Sequence, residues 1–186
     1  MLPGDKIFTR RLVLRKIEAD DLPLHVAWSY SPEACGKYLS TERLQPEETR
    51  LNFEAGLLWN AQSRTFFITL RDGTPIGTIL YWLRPEKKDT AVMALKIALP
   101  FLRDKGYGTE AQKFLIMYLF ERMGLATVEA YTDIGNRPQQ RCLIKLGFEL
   151  HASLQYDDQH IKRTGMLYRL TFDRYKGISL YRFHYE

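Results

Sequence analysis

Cysteine is scarce in this chain, long apolar runs are missing, and charge of neither sign is massed in one place. Only Cys35 and Cys142 occur in 186 residues, both in segments that read as helical and without metal-ligand spacing. That excludes a disulfide scaffold or a cysteine-built metal knot and leaves two free thiols. The longest apolar run, around Phe114 to Phe120, is far too short to cross a bilayer, so no membrane partner is expected. Met1-Leu2-Pro3-Gly4-Asp5 lacks the basic start and apolar core of a secretory signal, and the expected address is cytoplasmic. His25, His151, His160 and His184 are scattered, with no metal spacing, and no metal is expected. Repeats, low-complexity tracts and linkers are also absent, so 1–186 reads as one domain.

What is present suits a folded globule. A hydrophobic content of 45%, with 13% aromatic, is enough for a real core. The 27 Lys and Arg residues exceed the 22 Asp and Glu by five, but the signs interleave, which argues against nucleic acid as a partner. A moderately basic surface also suits a ligand carrying several phosphates.

The stretch from Leu99 to Met123 is the one the rest is arranged to support. An apolar run with strand character leads into Arg103-Asp104-Lys105-Gly106-Tyr107-Gly108, and a long apolar helix is expected from Thr109. Two glycines let the backbone approach a ligand and take positive φ, so several N–H groups can converge. The helix start adds partial positive charge, making the joint an anion site that Arg103 and Lys105 reinforce.

In chain order, Thr9 to Ile17 alternates apolar and basic residues and reads as a strand. Short helices are expected after Asp20-Asp21 and from Ser31-Pro32 toward Tyr38, and a longer one from Glu47-Glu48 to Trp59. Phe66–Leu70 and Ile76–Leu83 flank Asp72-Gly73, a strong hairpin signal, and a third run from Thr90 to Leu99 completes an antiparallel meander closed by Pro100. After the long helix, capped near Gly124, Thr127–Thr132 reads as a strand. Strand, crossover helix and strand imply a parallel pair, splayed or side by side, whose tips face one crevice. Pro138 starts a helix stopped at Gly147, and a final hairpin runs from Phe148 to Phe172. Residues 175–186 alternate enough to be an extra strand or a partner-binding tail.

These residues resemble the GNAT superfamily of N-acetyltransferases, in the RimJ/RimL-like branch that acetylates ribosomal-protein N-termini. The resemblance runs from Thr9 through Leu170. Arg103-Asp104-Lys105-Gly106-Tyr107-Gly108 is similar to the superfamily's acetyl-CoA signature, and Asn136 followed by Leu143-Ile144-Lys145-Leu146-Gly147-Phe148 to the pattern that closes the cofactor site. The implied fold is α/β: a mixed, mostly antiparallel sheet with a splayed parallel pair in the middle and helices on both faces. The implied cofactor, as co-substrate, is acetyl-CoA. Its pyrophosphate would rest on backbone N–H groups of Lys105, Gly106, Tyr107, Gly108 and Thr109 beside Arg103. Its pantetheine arm would lie between Ala98-Leu99 and Tyr131-Thr132, with Asn136 touching the cofactor or fixing its loop. The backbone at Leu99 would serve as the oxyanion contact. The second partner is an amine acceptor, with a homodimer left open.

Three positions depart from the family's pattern. Thr90–Ala98 carries no carboxylate where many members have a Glu base, Leu143 stands where many have a Tyr that protonates the leaving thiolate, and Gly165 stands where the branch usually has Asp. A thiolate, with a thiol pKa near ~8.5, leaves readily, and an α-amine near ~8 is partly neutral at working pH, so water can carry the proton. A non-catalytic acyl-CoA sensor of the same fold is the alternative. Trp28, Tyr30, Tyr38 and Trp59 read as core before acceptor pocket, and Glu33 and Asp133 as solvated before catalytic.

Overall fold

The computed structural model describes residues 5–158 and 161–182. The turn of the expected final hairpin, which the sequence places at Asp157-Asp158-Gln159, and the end of the tail lie partly outside them. Among the described residues eight strands occur: β1 (Lys6–Phe8), β2 (Leu12–Lys16), β3 (Ser63–Leu70), β4 (Pro75–Arg84), β5 (Lys87–Ile97), β6 (Thr127–Asp133), β7 (Glu149–Asp158) and β8 (Ile161–Thr171). They form one sheet in the order 1-2-3-4-5-6-8-7, antiparallel throughout except between β5 and β6. Helices α1 (Leu22–Tyr30), α2 (Pro32–Cys35) and α3 (Pro46–Glu54) precede β3. Helix α4 (Tyr107–Met117) crosses from β5 to β6, α5 (Arg137–Lys145) follows β6, and α6 (Phe172–Gly177) follows β8.

Alternation along the strands feeds two cores. Phe66 and Ile68 of β3 join Ile79, Tyr81, Leu115, Leu119 and Val128 under α4. Phe67, between them, points the other way, where Trp28 of α1 stacks on it at 5.5 Å and Ile17 and Ala98 complete the layer. The sheet is thus covered on both sides beneath its middle strands.

Four expectations change. The strand expected over Thr9–Ile17 is β2, which starts only at Leu12 and pairs with an additional β1 before it, because the buried Thr9 hydroxyl accepts from Leu12 N–H at 2.8 Å and closes a turn between them. The helix expected to reach Trp59 stops at Glu54, and Gly56 at φ 73° reverses the chain. The long helix starts at Tyr107, two residues before Thr109, since Gly106 at φ 82° serves as its N-cap; it ends in a wider π-type turn, Tyr118–Arg122, ahead of Gly124. The tail is neither strand nor open docking segment within the described residues. Tyr175 and Tyr181 are buried in an aromatic cluster with Phe120, the Tyr181 hydroxyl donates to Leu146 C=O at 2.8 Å, and Ile178 lies where a Cβ on Gly147 would be only 2.1 Å away. Helical turns aim these rings inward, whereas strand alternation would leave every second one in water.

Candidate active site

The parallel register of β5 and β6 runs only from Thr90↔Thr127 to Met93↔Ala130. Beyond it β5 stays paired with β4 as far as Ile97, and β6 with β8 as far as Asp133. The sheet therefore opens between Ala94–Ile97 and Tyr131–Asp133. Ala98 N–H donates to Ile76 C=O at 2.8 Å, so by strand alternation Lys96 also faces β4, while the backbone groups of Leu95 and Ile97 turn to the gap. The Ile97 carbonyl is already taken, accepting from Arg103 Nε at 2.9 Å.

Two clefts meet at this gap. One, about 640 Å³, runs from Gly106, Gly108 and Thr109 past Cys142 to Leu95 and Gln139. The other, about 340 Å³, continues from Gln112 and Asn136 to Tyr131, Asp133, Leu154 and Gly165. Tyr38, Leu39, Leu95, Gln112, Asn136 and Gln139 line both. Thr132 adds a hydroxyl that is buried without a hydrogen-bond partner and lines the smaller cleft. A buried orphan hydroxyl is costly, and a ligand's polar group in the gap would satisfy it.

At the far end of the larger cleft, the N-cap of α4 is Gly106, which has no side chain to cap the first turn. The N–H groups of Tyr107, Gly108 and Thr109 have no intrahelical acceptor and stand with Gly106 at the mouth. Gly108 also lets the helix sit on β5, since a Cβ there would lie 3.1 Å from Leu95 Cδ2. The β1–β2 turn clamps this joint. Glu110 accepts from Thr9 Oγ1 at 2.6 Å, Arg11 N–H at 2.8 Å and Arg11 Nε at 2.7 Å, while Arg11 donates to Lys105 C=O at 3.0 Å and lies 4.3 Å over Tyr107. Burial alone would raise the Glu110 carboxyl, but these donors outweigh it and hold it below its usual range.

Residues expected at the site divide into groups. Arg103 folds back, its Nη2 donating to Glu33 C=O at 2.6 Å and Ala34 C=O at 2.8 Å, so it ties α2 to the end of β5. Of the turn residues, Gly106, Gly108 and Thr109 line the larger cleft, and Lys105 and Tyr107 line neither. Asn136 caps α5 by accepting from Gln139 N–H at 3.2 Å, which fixes the loop after β6 while it faces both clefts. Ala98 and Leu99 are not among the residues lining either cleft: Ala98 is buried and bonded to β4, and the Leu99 carbonyl accepts from Leu102 N–H. The open edge is Ala94–Ile97. Of the aromatic candidates, only Tyr38 lines the gap; Trp28 is core, Trp59 packs on Phe66, and Tyr30 is exposed. Asp133, expected to be solvated, is mostly covered, accepting from Gly135 N–H at 2.7 Å with Arg163 at 3.5 Å. Glu33 is exposed.

Sequence reasoning missed Glu110, Gln112, Gln139 and Cys142. Gln112 and Gln139 bond each other at 2.7 Å across α4 and α5, and Cys142 Sγ lies 3.2 Å from both Thr109 Oγ1 and Gln112 Nε2. Burial pushes the Cys142 thiol up, so it stays protonated. A signal for Glu110 was available: an acid in the first turn of the central helix.

Comparison with known proteins fits this geometry. The family model described as the acetyltransferase (GNAT) domain matches residues 11–149. The Bacillus subtilis (strain 168) protein named uncharacterized N-acetyltransferase YoaA is 26% identical over 164 residues, 86% of this chain and 90% of that protein. A solved spermidine N-acetyltransferase, a SpeG chimera from Vibrio cholerae and hSSAT, superposes with a TM-score of 0.79 at 15% identity over 90% of this chain and 99% of its own. RimL, the ribosomal L7/L12 α-N-protein acetyltransferase, in complex with coenzyme A, does so with a TM-score of 0.75 at 13% identity over 89% and 97%. At such identities the solved structures establish the fold, and the family match establishes descent: the chain belongs to the GNAT acetyltransferases and is an acyltransferase.

Proposed function

We propose that the chain moves an acetyl group from acetyl-CoA to a primary amine by direct attack in a ternary complex. The observation that carries this is the continuity of the uncapped α4 turn with the gap between β5 and β6. The diphosphate rests on N–H groups from Lys105 to Thr109, with Arg103 bracing the turn from behind. The pantetheine arm lies along the open edge of β5, where the backbone of Leu95 and Ile97 offers strand-like bonds, and Thr132 gains a partner. The oxyanion contact passes from Leu99 to the N–H groups of Leu95 and Ile97. Holding both reactants in one gap supplies on the order of 7 kcal/mol in favourable cases.

The amine enters through the smaller cleft. Its entrance holds a carboxylate in an unexpected place: Asp133 of β6 stands directly opposite Gly165 of β8, the position where the branch usually carries Asp. Side chains on facing residues sit about 5 Å apart, so Asp133 delivers an acid to the same side from the neighbouring strand. It orients the amine, and water removes the proton.

Purified protein, acetyl-CoA and a panel of amines (α-amino peptides, spermidine, an aminoglycoside) test the reading through coenzyme A thiol release. Release with at least one amine, lost or strongly reduced in Asp133→Asn, supports it. Tight coenzyme A binding with no release on any amine favours the sensor.

A further inference from the structure

We propose that Lys96, on the open edge of β5, is a modification site: with acetyl-CoA bound and no amine acceptor supplied, its Nζ takes the acetyl group. This rests on the acyl-CoA reading above. Lys96 lies between Leu95 and Ile97, whose backbone groups turn to the gap, and all three residues line the larger cleft. A thioester carbonyl held by either N–H sits about 3.3 Å along the strand from Lys96, within the reach of a flexible four-carbon stem.

The side chain arrives from the side opposite the helix that holds the diphosphate. The register from β3 through β4 to β5 sets Phe67, Thr78 and Lys96 in one row, on the face where Trp28 of α1 stacks. Leu95 takes the other face, where its Cδ2 lies 3.1 Å from a Cβ built on Gly108 of α4. Amine and donor thus approach the gap from opposite faces. The head group is also aimed: the Lys96 side chain is 12% exposed, and Nζ donates to Glu42 Oε2 at 3.2 Å. Lys37 is the other lysine lining this cleft, but it is exposed, with its ammonium 4.8 Å over the Tyr38 ring, and it serves as the internal control. The Lys96 ammonium first gives a proton to water beside the exposed Glu42. The nitrogen lone pair then attacks the thioester carbon; the N–C bond forms, the C–S bond breaks, and the second proton leaving nitrogen reaches the thiolate through water. The products are N-acetyl-Lys96 and the coenzyme A thiol, with no further reactant. Once the donor is bound the step is intramolecular, which gives Lys96 a high effective concentration over other lysines.

The purified full chain, incubated with acetyl-CoA and no added amine, is mapped by peptide mass spectrometry before and after, with coenzyme A binding measured by calorimetry on the same protein. Lys96 is expected to gain acetyl at least about tenfold faster than Lys37, and excess coenzyme A, which occupies the donor site, should suppress the gain. In Lys96→Arg, folded by circular dichroism, the intact mass should no longer rise by one acetyl group. Lys96 left unmodified, modified no faster than Lys37, or modified equally under excess coenzyme A overturns the proposal, and if calorimetry then shows coenzyme A binding the acyl-CoA reading stands. Failure of the chain to bind coenzyme A overturns both.

Discussion

The two halves of the β5–β6 pair are built from the same strands and behave as different materials. From Thr90 to Met93 the pair is closed, parallel and packed on α4, with Ala91, Val92, Met93, Val128 and Ala130 almost fully buried. From Ala94 onward it is open, its backbone faces a cleft, and the Thr132 hydroxyl has no partner. The closed half also holds Glu129, 1% exposed in its side chain, between Arg84 and Arg169 at 2.6 Å each. Burial alone would raise that carboxyl, but the two guanidinium groups more than reverse the effect. Where backbone and side chains are satisfied internally the pair serves stability, and where they are left open it has polar groups to offer the proposed ligand.

Breaking the open half should give the largest effect. Gly106→Val with Gly108→Leu forces a branched side chain into φ 82° and drives another into Leu95, and coenzyme A affinity by calorimetry should fall on the order of 100-fold. Breaking the closed half should cost stability instead. Glu129→Ala leaves two arginines without their shared acid, and chemical denaturation should show a loss of about 2 kcal/mol, discounted for the partial exposure of both arginines. Coenzyme A affinity should change less than twofold. A smaller effect of opposite sign sharpens the contrast: Thr132→Val removes the orphan hydroxyl, so stability should hold or rise by about 0.5 kcal/mol while coenzyme A binds roughly threefold more weakly. If Thr132→Val destabilises the fold and spares binding, the open half is structural after all. The smallest effect lies away from both halves, on helix α1. Burial against Phe67 holds the His25 imidazole below its ordinary 6.5, so the unfolded chain takes the proton first. Stability should be full above pH 6.5 and decline as pH falls toward the folded value, and urea titrations of His25→Phe should lose that slope.

Much of this was legible in the residues. Gly106-Tyr107-Gly108 after an apolar run, Asp72-Gly73 between β-rich segments, and Gly124 and Gly147 after helices each carry a local mechanism that needs no tertiary context. The point where β5 and β6 part was not legible, because it is set by how far β4 and β8 hold their neighbours, and nothing in Ala94-Leu95-Lys96-Ile97 marks it. Tyr38 sits in a stretch without periodicity, so its place at the gap could not be read. That Asp133 would be covered could not be read, because one residue of sequence does not show that Arg163 and Gly135 N–H will lie beside it. The tail misled through its alternation, which six helical residues and one tight turn satisfy equally well.

The open edge of β5 would meet the donor with main chain alone, and mutation can change side chains without deleting an amide. The cleft proposed for the amine is lined instead by side chains such as Tyr38, Asp133 and Leu154. Descendants of such a protein are free to drift toward new nucleophiles while their grip on the thioester is inherited intact.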